Sequence, residues 1–285
     1  MWSLDTLTRA LAEAGADEAR EEAMLLMTTF AGVSRTSLLC DRTSLFDCPA
    51  LDRAAEKRLS RYPLQYILGE WTFFGNTLKV NEHCLIPRPD TEILVEETLK
   101  RLPPHAVLAD LCTGSGCIGI SVLKERPDTV CHALELYPDT LELAVGNAGL
   151  NGVSDRFIPV CADLLDGGVD AMKRSLVPTG GLLDAILSNP PYIRKEDVDR
   201  LAPELFFEPR AALDGGDDGL TFYRAILKDY RLLLRDGGLV LMEIGFDQAD
   251  DLRRLAEDIP GWTDFELIRD LGGRDRVVCL RAAPI

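Results

Sequence analysis

The chain is poor in histidine, with three in 285 residues (His83, His105 and His132), all distant from one another in sequence. A metal centre or charge-relay triad built on histidine has little to draw on, and ordinary structural or surface histidines are expected. The eight cysteines are scattered without a single CxxC pair and mostly have apolar neighbours. That excludes a zinc ribbon and argues against a disulfide framework, leaving reduced core thiols. No apolar run approaches the ~18 residues of a membrane span, and the N-terminus MWSLDTLTRALAEAG lacks a basic stretch followed by an apolar one. A cytoplasmic protein without signal peptide or membrane segment is expected. Positive charge is also scarce: 31 Lys and Arg stand against 47 Asp and Glu, a formal net charge of −16. Counterion release then contributes little, so a broad DNA- or RNA-binding surface is disfavoured and a protein partner of basic character is the natural complement.

With 46% hydrophobic and 27% charged residues, the chain can bury a substantial core, and its length suits two domains. Residues 1–70 read as a helical bundle. Leu4, Leu7 and Leu11 form one stripe with Ser3 or Asp5 as a cap, and Ala23, Met24, Met27 and Phe30 form another. Residues 71–100 read as a hairpin turning at Gly75-Asn76 and a linker, with Asp90 and Thr91 as capping candidates for the helix TEILVEETLKRL. Residues 101–285 alternate strand-like runs (HAVLADL, VCHALEL, RFIPVCA, LLDAILSN, GLVLMEIG) with the helical patterns CIGISVLKER, PDTLELAVGNAGL, DGLTFYRAILKDYRLLLR and DQADDLRRLAED. The pattern predicts an α/β domain with a doubly wound, mostly parallel sheet, closed by an antiparallel hairpin of FELIRDL and RVVCLRA.

Ligands of such sheets lie beyond the carboxyl ends of the strands. The first βα turn, ADLCTGSGCIGIS, places Gly114, Gly116 and Gly119 in a GxGxxG match that also fits a dinucleotide oxidoreductase. Asp110 precedes that turn, Glu135 ends the next strand, and Asp163 follows the third. Glu135 suits a ribose diol. Asp163 suits either the exocyclic amine of adenine or the cap of its own loop. Three carboxylates fit S-adenosylmethionine, which carries a sulfonium, an ammonium and no phosphate. At the fourth strand end, LSNPPYI holds Asn189 extended before Pro190 and Pro191. The Asn189 side-chain oxygen and the Pro190 carbonyl are two fixed acceptors for a planar NH2, and Tyr192 offers it a flat face. A bland reading, a rigid turn, describes the same backbone.

NPPY downstream of DLCTGSG resembles amino-group methyltransferases that use S-adenosylmethionine. The stretches PLQYILGEWTFFGNTLKVNEHCLIPRPDTEILVE (63 to 96), EPRAALDGGDDGLTFYRAI (208 to 226), LMEIGFDQ (241 to 248) and GGRDRVV (272 to 278) are similar, in order and spacing, to the peptide chain release factor N(5)-glutamine methyltransferases, the PrmC/HemK family. The resemblance implies a seven-stranded methyltransferase sheet and methylation of the glutamine amide in the Gly-Gly-Gln motif of release factors by S-adenosylmethionine. It makes the helical domain a release factor recognition module, with no membrane, metal or direct nucleic-acid contact, in a monomer. It implies that Thr113, Gly114, Ser115 and Gly116 wrap the methionine part of the cofactor, with Asp110, Cys112 and Asn189 as further cofactor-binding residues, and that Glu135 binds its ribose. Asp163 and Leu164 then lie at the adenine, and Asn189, Pro190, Pro191 and Tyr192 clamp the substrate. This sequence departs from the family where Cys112 stands at a common glycine, Glu135 at a common aspartate and Leu164 at an aromatic of some members. The rival within the same chemistry is an adenine amino methylase acting on DNA or RNA; a noncatalytic adaptor is another.

Overall fold

The computed structural model describes residues 1–284 and divides into two compact units. The first comprises 1–70 together with 202–207, the second 71–201 and 208–285.

Five helices build the first unit: α1 (Leu4–Glu13), α2 (Ala19–Phe30), α3 (Arg35–Cys40), α4 (Pro49–Leu59) and α5 (Leu64–Leu68). Ser3 rather than Asp5 caps α1, its Oγ accepting from the Thr6 amide at 3.2 Å while its own amide donates to Thr6 Oγ1 at 2.9 Å. The expected stripes are buried: Leu4, Leu7 and Leu11 meet Ala23, Met24 and Met27, with Phe30 at the margin. Residues 202–207 join this unit despite their distance in sequence. Glu204 accepts from Arg58 (3.3 Å) and Arg61 (2.8 Å), and the Phe207 ring meets Tyr62 edge-on at 5.1 Å. Arg58 is buried and also holds Glu22 through Nε at 2.6 Å. An internal ion pair costs less when both partners are multiply bonded, and here the arginine has two carboxylates.

In the second unit, β1 (Glu70–Phe73) and β2 (Asn76–Lys79) form a two-stranded sheet. The turn falls one residue earlier than the sequence suggests, on Phe74 and Gly75, both with positive φ. Asn76 is instead a buried strand residue whose Nδ2 donates to Ser121 Oγ at 3.2 Å. Phe73 and Leu78 enter the second unit's core, so residues 71–100, expected as hairpin and linker, pack as an integral part of it.

The elements that follow are α6 (Glu92–Arg101), β3 (Val107–Leu111), α7 (Cys117–Glu125), β4 (Val130–Glu135), α8 (Pro138–Leu150), β5 (Phe157–Cys161) and α9 (Gly168–Leu176). After them come β6 (Leu183–Ser188), α10 (Lys195–Val198), α11 (Thr221–Asp229), β7 (Leu234–Glu243), α12 (Ala249–Asp258), β8 (Trp262–Arg269) and β9 (Asp275–Ala282). The seven strands β3 to β9 are ordered β5-β4-β3-β6-β7-β9-β8, parallel except for β9, which runs antiparallel to both neighbours. Residues of β6 serve both faces, with a register shift between Leu183 and Ala185. Leu183 and Ile186 pack with α9, α11 and α12, while Ala185 and Leu187 pack with α6, α7 and α8. Helix α9 is absent from the sequence reading. The glycine pair Gly167-Gly168 at its start looks like a loop, and the helical signal is confined to Val169, Met172 and Leu176, which pack on the core.

Register places the functional edge. Leu111 lies opposite Leu134 and Ser188, and Ser188 opposite Met242. The next residues of those strands, Cys112, Glu135, Asn189 and Glu243, therefore emerge together at the point where strand order reverses between β3 and β6.

His132, buried in β4, is bonded by Nδ1 to Ser175 Oγ at 2.6 Å, and burial lowers its pKa from 6.5 to about 4. The unfolded chain takes up this proton as pH falls through 6.5, the folded chain only near 4, so the stability contribution is complete above 6.5 and lost below it. Between pH ~7.5 and ~4.5, the urea unfolding free energy of the native sequence should fall by about 2 to 3 kcal/mol more than that of His132→Gln. Equal falls would remove His132 as the cause.

Candidate active site

The loop Cys112–Gly116 leaves β3 through three left-handed residues, with φ of +59° at Cys112, +56° at Gly114 and +82° at Gly116. Cys112 thus occupies a conformation that glycine adopts more easily, which gives the departure noted in the sequence a physical meaning. Asp110 lies beneath this loop, fully buried. Its Oδ2 accepts from Thr113 Oγ1 at 2.7 Å and from the Gly119 amide at 3.0 Å, while Oδ1 has no partner among the described residues. A Cβ on Gly119 would stand 3.2 Å from that carboxylate and 2.8 Å from Cys131 Sγ. The third glycine of the GxGxxG match therefore serves the close approach of α7 to β3. Burial lifts the Asp110 carboxyl to about 7 against the lowering effect of its two donors. Asp110 does not line the cavity above; it shapes the loop that does.

That cavity holds about 200 Å³ of water-accessible space along the carboxyl edge of the sheet. Thr113, Gly114 and Ser115 form one wall, with Cys112 beside them. Gly116 supplies the turn into α7 without lining it. Glu135 lines the next wall, with Oε2 accepting from the Gly114 amide at 3.0 Å and Oε1 from the Leu136 and Tyr137 amides at 3.0 and 3.2 Å. Burial raises its pKa, and these amides oppose that rise. The glutamate reach lets one carboxylate tie the first loop to the second: Oε1 spends both lone pairs on the Leu136 and Tyr137 amides, while Oε2 retains one. Asp163 also lines the cavity. Its Oδ1 caps its own loop at the Leu165 amide, 2.8 Å away, which realises the capping role, while Oδ2 stays available. Leu164 lines the cavity with an aliphatic side chain, and its carbonyl accepts from Tyr230.

The polar set fits S-adenosylmethionine: two cavity-facing carboxylates, an apolar flank and one buried serine, Ser115. A pyrophosphate fits poorly. The lining arginine, Arg88, is already bonded to Glu208, a buried carboxylate that also takes the Ile86 amide at 3.0 Å.

At the β6 edge, Asn189 and Pro191 line the cavity; Pro190 and Tyr192 do not. Asn189 Nδ2 donates to Thr91 Oγ1 at 3.1 Å, and Thr91 Oγ1 donates to Glu243 Oε2 at 2.5 Å. The Tyr192 hydroxyl reaches Glu243 Oε1 at 3.4 Å, its ring half-buried against the core. Thr91, expected as a helix cap, makes no side-chain cap bond because its hydroxyl is committed to Glu243. Around the prolines, the Ile193 amide donates to the Leu213 carbonyl and its carbonyl accepts from the Gly215 amide, and Gln248 Nε2 donates to the Tyr192 carbonyl at 3.0 Å. Glu208, Glu243 and Gln248 have no role in the sequence reading, and Thr91 only that of a cap, although each lies inside a stretch quoted there for its resemblance.

The N-terminal residues 3–69 match the family model described as PrmC N-terminal domain, and 89–221 match Methyltransferase small domain. The release factor glutamine methyltransferase of Caulobacter vibrioides is 36% identical over 275 residues, covering 94% of this chain and 91% of its own. That of Moorella thermoacetica is 37% identical over 280 residues, covering 96% and 95%.

The chain belongs to the release factor glutamine methyltransferase family.

A solved methyltransferase from Pyrococcus furiosus shares the fold, with a TM-score of 0.52 at 17% identity, over 75% of this chain and 92% of that one. The expected fold class, a seven-stranded methyltransferase sheet with a helical N-terminal region, is therefore established for this family member, as is its methyltransferase character.

The DGG stretch of this family member shows why it must be small. A Cβ on Gly215 would stand 2.7 Å from Tyr192 Cα and 2.9 Å from the Pro191 carbonyl oxygen, both backbone atoms. Gly215→Ala should cost about 1 to 3 kcal/mol in chemical unfolding. An unchanged unfolding free energy would show that the NPPY turn is not clamped there.

Proposed function

We propose that this enzyme transfers a methyl group from S-adenosylmethionine to the side-chain amide nitrogen of the glutamine in the Gly-Gly-Gln motif of peptide chain release factors. When bound, the cofactor supplies an electrophilic methyl group. Cys112 and Thr113 to Ser115 would hold its methionine part on the loop that Asp110 shapes and Gly116 turns. Glu135 would take a ribose hydroxyl with the lone pair left on Oε2, and Asp163 with Leu164 the adenine.

The observation that carries the reading is the orientation of Asn189. Its NH2 is committed to Thr91, so its oxygen is the end left for a ligand in the cavity it lines. That oxygen can accept one hydrogen of a substrate NH2, and the other would go to the backbone carbonyl of Pro190, which stands between the cavity-lining Asn189 and Pro191. This orients a weakly nucleophilic amide nitrogen and leaves its lone pair for the methyl group. Placing two reactants in this way can lower a barrier by on the order of 7 to 11 kcal/mol. Pro191 keeps the turn rigid, and Tyr192 anchors it from the core side through Glu243.

A nucleobase amine would satisfy the same two acceptors. The release factor reading is favoured by the relatives' names over nearly the whole chain and by the net charge of −16, which suits a protein substrate better than nucleic acid. Residues 1–70 would recognise the body of the release factor, a role consistent with the match to PrmC N-terminal domain.

Incubation with S-adenosylmethionine should add one methyl group to the glutamine of a release factor, read by peptide mass. Asn189→Ala should slow the transfer by roughly 10² to 10³ at saturating cofactor, by analogy with removal of one oriented polar group. An unmodified glutamine would overturn the substrate, and a native rate in the variant would overturn the clamp.

A further inference from the structure

Three side chains from distant parts of the sequence make one directed chain of hydrogen bonds at the cavity wall, which Thr91 and Asn189 line and Glu243 does not. Glu243, at the end of β7, is 2% exposed. Thr91, also 2% exposed, donates its only hydroxyl hydrogen to Glu243 Oε2. A hydroxyl that has spent its hydrogen can only accept, so the group facing Thr91 must be a donor, and Asn189 therefore turns Nδ2 toward it at 3.1 Å. The second carboxylate oxygen takes the Tyr192 hydroxyl, which ties the far side of the NPPY turn to the same group.

We propose that Thr91 and Glu243 are positioning residues which, through this relay, decide that the Asn189 carboxamide presents its oxygen rather than its NH2 to the substrate. The inference rests on the methyl-transfer reading above. Neither residue needs to touch the substrate. The polarity of the relay starts at an ionised carboxylate, which can only accept, and each later link inherits its direction.

Protonation of Glu243 would undo this. A neutral carboxyl carries a hydrogen of its own, so Thr91 could accept it and turn its hydroxyl hydrogen to Asn189, whose amide would rotate to offer Oδ1 inward and NH2 to the cavity. Burial raises the Glu243 carboxyl to about 7, opposed by Thr91, Arg276 of β9 and Tyr192 and reinforced by Asp90. Tyr223 of α11 donates to the Glu243 backbone carbonyl at 2.9 Å, and Cys117 of α7 lies within its field. Activity should therefore rise as pH increases through about 7.

Two variants of Thr91 separate this role from packing. Thr91→Val keeps the shape and removes the hydroxyl, while Thr91→Ser keeps the hydroxyl and removes a methyl. The relay predicts that Thr91→Val lowers kcat on release factor about tenfold or more, with the affinity for S-adenosylmethionine unchanged, and that Thr91→Ser restores most of the rate. Packing alone predicts the reverse order and would overturn the proposal. Glu243→Gln can still accept from Thr91 but does not titrate, so the acid limb should flatten. Asp110 titrates in both proteins, so an identical limb in Glu243→Gln would also overturn it.

A readout without substrate keeps the inference independent of the assigned reaction. In the ¹⁵N-labelled free enzyme, the side-chain NH2 of Asn189 should be protected from hydrogen exchange in the native protein and in Thr91→Ser, and should lose that protection in Thr91→Val. Equal exchange in all three would refute the relay even if release factor is methylated. Protected exchange with no methylation of release factor would instead refute the assigned substrate and leave the relay standing.

Discussion

The carboxylate of Glu243 is the constraint on which the rest of the site depends. A buried acid in an apolar sheet is unfavourable unless its oxygens are engaged, and here each takes a hydroxyl, from Thr91 and from Tyr192. Those two bonds join the start of α6, the end of β6 and the end of β7. They turn a backbone feature, the arrest of a strand by two prolines, into a directional one, because they define which end of Asn189 meets a ligand. Removing any of the three partners would leave a buried polar group unsatisfied as well as a substrate unoriented.

A second carboxylate does comparable work for the cofactor side. Asp110 is buried beneath the glycine loop and draws Thr113 and Gly119 toward it, while Glu135 links that loop to the end of β4. Acids shape both halves of the cavity from behind, and Glu135 and Asp163 also face into it. The arrangement is hostile to a pyrophosphate and receptive to a ligand with hydroxyl, amine and cationic groups. The architecture contributes register: the parallel strands end level with one another, so residues from four strands reach one edge without long loops.

Much of this was legible in the sequence. Apolar runs bounded by Gly, Asp and Pro located the strands, and leucine spacing located α1, because both signals are local and periodic. NPPY and the glycine loop were legible because proline and glycine restrict or free the backbone wherever they stand. What escaped was non-local. Thr91 looked like a helix cap because an N-terminal threonine usually is one, and nothing within several residues reveals an acid 152 positions away that claims its hydroxyl. Residues 202–207 could not be assigned to the first unit, since the signal was a single glutamate whose partners are Arg58 and Arg61. Asp110 faced the right loop, but whether it turned toward ligand or protein depended on Gly119 admitting it from below. The turn at Phe74-Gly75 moved by one residue because Asn76 found a buried partner in Ser121.

The central claim is that two fixed acceptors aim a planar NH2 at the methyl donor. It is tested most directly by a crystal structure of the enzyme with S-adenosylhomocysteine and a release factor peptide containing Gly-Gly-Gln. The account predicts the glutamine amide nitrogen within hydrogen-bond reach of both Asn189 Oδ1 and the Pro190 carbonyl, with Asn189 Nδ2 still on Thr91. A glutamine nitrogen held by neither acceptor, or an Asn189 turned to present its NH2 to the substrate, would contradict it.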